Sequence, residues 1–149
     1  VPGNSEYSMP LTLEAVCEDF PTIPIIAFHM GYPRTEELNI CLMKYPNLYV
    51  GTSLFSRMGP GMSKNGQRIL GQALRAAGPD RIVWGIDSMG RPPGVPATLH
   101  KNEVRLLKEF KISEEVQEEY GVPPLTEEIR AKWAGLNLAK LYKIKPPKV

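Results

Sequence analysis

Three short runs constrain this chain most: I-P-I-I-A-F ending at Phe28, L-Y-V-G-T-S ending at Ser53, and R-I-V-W-G-I ending at Ile86. Each is rich in β-branched or aromatic residues and is punctuated nearby by Gly, Pro or Asn. That is the pattern of a strand buried on both faces. Pro24 has to stand at a strand start, where a missing N–H is tolerated.

Helical stripes alternate with these runs. Leu13, Val16, Cys17 and Phe20 follow the i, i+3, i+4, i+7 spacing, as do Leu38, Cys41, Leu42 and Tyr45, and Leu70, Ala73, Leu74 and Ala77. Thr35 ahead of Glu36 and Glu37 is the expected N-cap of the second helix, and Gly78-Pro79 the stop of the third. Strands alternating with helices imply right-handed crossovers and a parallel sheet, so the predicted class is α/β. Beyond Asp87 a Pro/Gly-rich loop leads to a helix near Leu99 to Phe110, and Ser113 and Thr126 are expected to cap two more.

At 149 residues the chain reads as one domain over 1–149, with a closing helical segment and basic tail over 111–149. It is short for a fold that needs eight strand-helix units. The formal charge of +2 does not argue for nucleic acid, and the K-I-K-P-P-K-V end reads as a solvated tail. No apolar run reaches the ~18 residues of a membrane span. Cys17 and Cys41 lie on helix stripes away from any C-x-x-C, so buried free thiols and a reducing, cytoplasmic location are expected. The start at Val1 in V-P-G-N-S fits processing, a trimmed chain or a fragment of something longer.

In parallel α/β folds, ligands bind beyond the carboxyl ends of the strands. The first run ends at His29, the second at Thr52 and Ser53, and the third at Asp87 followed by Ser88. Each alone is explained by a structural histidine, a turn or a cap. Together, an imidazole and a carboxylate at one rim suit a borderline divalent ion or the water it activates. His29 and Asp87 are therefore candidate site residues, with Ser53 and Ser88 beside them as expected contacts of a small-molecule substrate. His100 has no partner at ligand spacing and reads as a surface residue. G-P-G-M-S-K at Gly59 to Lys64 lacks phosphate-loop spacing, and no G-x-S-x-G elbow surrounds Ser53 or Ser88.

The runs L-T-L-E-A-V-C-E-D-F-P-T-I-P-I-I-A-F-H-M-G-Y, K-Y-P-N-L-Y-V-G-T-S, G-P-D-R-I-V-W-G-I-D-S and L-T-E-E-I-R-A-K-W-A-G-L-N-L-A-K-L-Y, in this order, resemble the C-terminal half of amidohydrolase-related TIM-barrel enzymes. The branch is the one that includes aminocarboxymuconate-semialdehyde decarboxylase. The resemblance implies that the chain is the C-terminal part of a (β/α)8 barrel, about three βα units with closing helices. It implies that His29 follows the sixth barrel strand, lying beside the metal and contacting the activated water or the substrate. It implies that Asp87 follows the eighth as the metal ligand, binding Zn2+ or another divalent ion and handling the proton of the attacking water, so that the two form the catalytic pair. It matches Asn137 to an asparagine that satisfies turn backbone.

The family's H-x-H pair and its histidine after the fifth strand have no counterpart in this sequence. The resemblance thus implies a metal-dependent hydrolase or non-oxidative decarboxylase present as an incomplete barrel. A missing half-barrel or a second copy is the expected partner, and the chain alone is expected to be inactive. The alternative is a non-catalytic α/β interaction or scaffold module that kept the strands and lost the metal site.

Overall fold

The computed structural model describes residues 5–53, 55, 62–87 and 98–145, with the backbone alone at Ser5 and at 98–100. Three parallel strands form one sheet: β1 (Ile25–Ala27), β2 (Leu48–Gly51) and β3 (Ile82–Val83), in that spatial order. Ile25 pairs with Leu48 and Ala27 with Val50, while Val50 and Gly51 pair with Ile82 and Val83. The helices are α1 (Leu13–Asp19), α2 (Thr35–Lys44), α3 (Lys64–Ala77), α4 (Thr98–Glu109), α5 (Glu114–Tyr120), α6 (Glu127–Ala131) and α7 (Asn137–Leu141). The α/β class and the parallel sheet agree with the sequence reading. Among the described residues, neither the outer edge of β1 nor that of β3 has a further strand.

The core forms where α2 and α3 pack against the sheet and each other, and Cys41, Leu42, Leu48, Val50, Leu70 and Ile82 are fully buried there. The α3 stripe of Leu70, Ala73, Leu74 and Ala77 is buried along its whole length, as its period requires. The α1 stripe is not. Cys17 is buried, but Val16 and Phe20 are exposed, because this seven-residue helix meets its neighbours along only one edge and no described element covers the rest. Tyr45 stays in the core although it lies one residue beyond α2.

Ser113 and Thr126 cap α5 and α6 as expected, accepting from the N–H groups of Val116 and Ile129 at 3.4 and 3.2 Å. Thr35 departs from its expected role. It is already the first helical residue of α2, and its hydroxyl turns to the Glu36 carboxylate at 3.4 Å instead of to the backbone.

At the amino ends of the strands, the Arg81 guanidinium donates to the carbonyls of Leu42, Tyr45, Leu48 and Ala77 at 2.8–3.0 Å. It thereby satisfies carbonyls in the last turns of α2 and α3 that no intrahelical donor can reach. Burial pushes its pKa down, yet an arginine stays charged at any ordinary pH. Asn137, buried at the start of α7, donates to the carbonyls of Pro79 and Ile82 at 2.8 and 2.7 Å and so holds the turn into β3, the structural task expected of it. Among the described residues no helix is long and apolar enough to cross a membrane. Cys17 and Cys41 are buried free thiols.

Candidate functional site

Because the three strands run parallel, their carboxyl ends share one side of the sheet, and the chain does something unusual at two of them. Directly after β1, the turn Phe28–Gly31 places His29 at φ 59°, Met30 at φ 55° and Gly31 at φ 68°. Beyond β3, Asp87 adopts φ 50°. His and Asp tolerate this left-handed region better than most side chains. Met30 does not belong there by propensity. It is held by burial, at 2% exposure, under α2. The cost of a non-glycine residue in that region is about 1–3 kcal/mol, so packing has to stabilise the turn.

The turn delivers His29 to the end of β2. Its Nδ1 lies 3.1 Å from both the carbonyl oxygen and the hydroxyl of Ser53. Continuing the β1–β2 register would set His29 opposite Thr52, so the left-handed turn moves the imidazole on to the next residue. Among the described residues Nε2 has no hydrogen-bond partner.

Thr52, also buried, is occupied elsewhere. Its hydroxyl accepts from the indole N–H of Trp133 at 2.9 Å and donates to the carbonyl of Val83 at 3.4 Å. Trp133 sits in the wide turn Lys132–Leu136 between α6 and α7 and packs edge-on to Phe110, which in turn meets Phe55. The closing helical segment is thus bonded to the same strand end that carries Ser53. Sequence reasoning passed over Trp133 as a site-supporting residue. Its position in R-A-K-W-A-G-L-N, between a capped helix and Asn137, was the available signal.

The structure therefore brings His29 and Ser53 into direct contact and sets half-buried Asp87 beyond the end of β3, on the same side of the sheet. Ser88 and the His100 side chain lie outside the described residues. The indole N–H of Trp84, just past β3, is buried without a hydrogen-bond partner among the described residues. No group of three or more His, Cys, Asp or Glu that could hold a metal ion occurs among the described residues. His29 and Asp87 supply at most two donors, fewer than the three protein ligands of an ordinary catalytic zinc site. The residues present do not by themselves fit a complete metal centre.

A family model described as Amidohydrolase matches residues 2–144. The chain belongs to the amidohydrolase family, whose members are generally enzymes and typically use divalent metals. It is also similar to Protein fluG of Emericella nidulans, with 27% identity over 81 residues. That stretch is 54% of this chain and 9% of the fungal protein, so the chain spans only a small part of this curated relative. No solved structure matches the chain.

Proposed function

We propose that this chain is the C-terminal part of an amidohydrolase-family TIM barrel that carries out hydrolysis or non-oxidative decarboxylation of a small carboxylate or cyclic substrate. The relatives nearest in kind would be those around aminocarboxymuconate-semialdehyde decarboxylase. The observation that carries the reading is the pairing of family membership with His29 and Asp87, each in left-handed backbone just past the carboxyl end of a parallel strand. Backbone outliers of this kind gather at active sites, where packing holds them against their preference.

In this reading the Asp87 carboxylate takes the proton of a water: in a hydrolysis that water attacks the substrate, and in a decarboxylation the carboxylic acid so formed hands the proton to carbon as CO2 leaves. The His29 imidazole orients that water or the substrate carboxylate. Ser53 and Ser88 are the proposed substrate contacts. A divalent ion such as Zn2+ would supply Lewis acidity, and this chain would contribute at most Asp87 to its shell. The remaining ligands would come from outside the described residues.

Two features support a barrel completed by further strands, from a longer chain or a second copy. The edges of β1 and β3 are open among the described residues, and the Trp84 N–H is buried without an acceptor. The buried free thiols support a reducing, cytoplasmic setting.

The test is Asp87→Asn in the full protein, assayed for hydrolysis of small cyclic amides and lactones and for CO2 release from unsaturated carboxylates. An amide keeps the shape but cannot accept the proton, so turnover should fall at least ~10²–10⁴-fold with the melting temperature unchanged. Near-normal turnover, or loss of activity through unfolding alone, would show that Asp87 is a turn residue.

A further inference from the structure

We infer that Ser53 is a positioning residue that holds His29 as the Nδ1–H tautomer through its carbonyl, leaving Nε2 as a bare lone pair, and that Gly85 keeps Ser53 in place for this. The inference rests on the reading of His29 as an acting group.

Ser53 is buried, at 3% exposure. Its two oxygens both lie 3.1 Å from one ring nitrogen. A hydroxyl can either donate or accept, so Ser53 Oγ alone would leave the tautomer open. The carbonyl oxygen can only accept. If Nδ1 were unprotonated, two lone pairs would face each other at 3.1 Å. With Nδ1 protonated, its N–H is shared between the carbonyl and Oγ. The proton on one imidazole nitrogen decides what the other can do. A protonated Nδ1 makes Nε2 an acceptor, able to take a hydrogen bond from a water or a protonated substrate group. The opposite tautomer would offer an N–H there instead.

The geometry depends on the third strand as well. A Cβ at Gly85 would stand 3.3 Å from Ser53 Cβ and 3.9 Å from its Cα, with no other neighbour nearer than the Ser53 backbone. That is tighter than ordinary carbon contact, so any side chain at 85 presses on Ser53 itself. Glycine at 85 thus serves a close approach. It lets the chain leading to Asp87 lie against the residue that orients His29.

The experiment is a ¹⁵N correlation spectrum of the histidine rings in the full protein at about pH 8.5, well above the ordinary imidazole pKa of about 6.5. His29 and His100 are the two histidines of this sequence, and a His29→Gln spectrum assigns the pair. Nδ1 of His29 should fall in the protonated range and Nε2 in the bare range. A protonated Nε2 would overturn the inference. Ser53→Ala keeps the carbonyl and should keep the tautomer, whereas a switch to Nε2–H would show that the hydroxyl was the controlling group. Gly85→Ala should give a mixture of tautomers in a folded protein, and an unchanged His29 pattern would remove Gly85 from the account. If Gly85→Ala does not fold, the parent and Ser53→Ala spectra still decide the role of Ser53. The spectra are recorded without substrate, so they can fail while the Asp87→Asn rates uphold the enzyme reading, or the reverse.

Discussion

Replacing Arg81 by Met keeps the apolar stem of the side chain and deletes the guanidinium. Five carbonyls lose a donor: Leu42, Tyr45, Leu48 and Ala77, and more weakly Ala76 at 3.5 Å. Tyr45 retains the Leu48 N–H at 3.2 Å. Leu42 and Ala77 lie in the final turns of α2 and α3, where the helix offers no replacement. A buried polar group left without its partner costs about 1–3 kcal/mol. Two such carbonyls, with a smaller loss at the other three, come to about 3–5 kcal/mol. A domain of this size has roughly 5–15 kcal/mol in all.

Urea unfolding followed by circular dichroism should show the midpoint falling by more than about 1 M with the slope unchanged, since slopes for small proteins are about 1–3 kcal/mol/M. Arg75→Met is the control. Its guanidinium bonds the carbonyls of Tyr120 and Gly121 at an exposed site, where water can replace it, and its loss should cost less than about 1 kcal/mol. If Arg81→Met were as mild as Arg75→Met, water would be reaching the helix ends, and the role assigned to Arg81 would be refuted.

Trp133→Phe removes the N–H bonded to Thr52 and leaves a gap beside Phe110. Stability should fall by about 1–3 kcal/mol in the same urea assay, and a neutral result would detach the closing segment from the strand end. Asn137→Ala strips the turn into β3 of two short bonds and should cost about 2–4 kcal/mol, read as a drop in melting temperature. Burial, helped by the Glu14 carboxylate, pushes the Cys17 and Cys41 thiols up, so the folded state holds their protons longer than the unfolded chain does. Their contribution to stability is therefore complete below about pH 8.5 and is lost as pH rises through the raised folded values. Unfolding midpoints should decline across that alkaline range in the parent and less in Cys17→Ala/Cys41→Ala. Both thiols should react with a disulfide reagent only as fast as the protein opens, and immediate labelling would contradict their burial.

What the sequence determined by itself is what depends on local periodicity. Apolar β-branched runs alternating with 3.6-residue stripes permit little besides a parallel α/β arrangement, and the hydroxyl residues Ser113 and Thr126 ahead of their helices mark the two caps. The likeness carried by the strand-end motifs was also readable, because H-M-G-Y, G-T-S and G-I-D-S each lie in one contiguous stretch. Three features belonged to tertiary structure. The left-handed turn at His29 and Met30 has no local signal, since methionine does not favour that backbone and only burial beneath α2 keeps it there. That turn shortens β1 and shifts His29 from Thr52 to Ser53, a partner 24 residues away. The exposure of Val16 and Phe20 depended on what stands next to α1, which a helical stripe cannot state. Arg81 looked like an ordinary charge before a strand until folding brought the ends of two helices within reach of one guanidinium. Periodicity is a property of neighbours along the chain, whereas orientation, strain and shared hydrogen bonds exist only once distant segments meet.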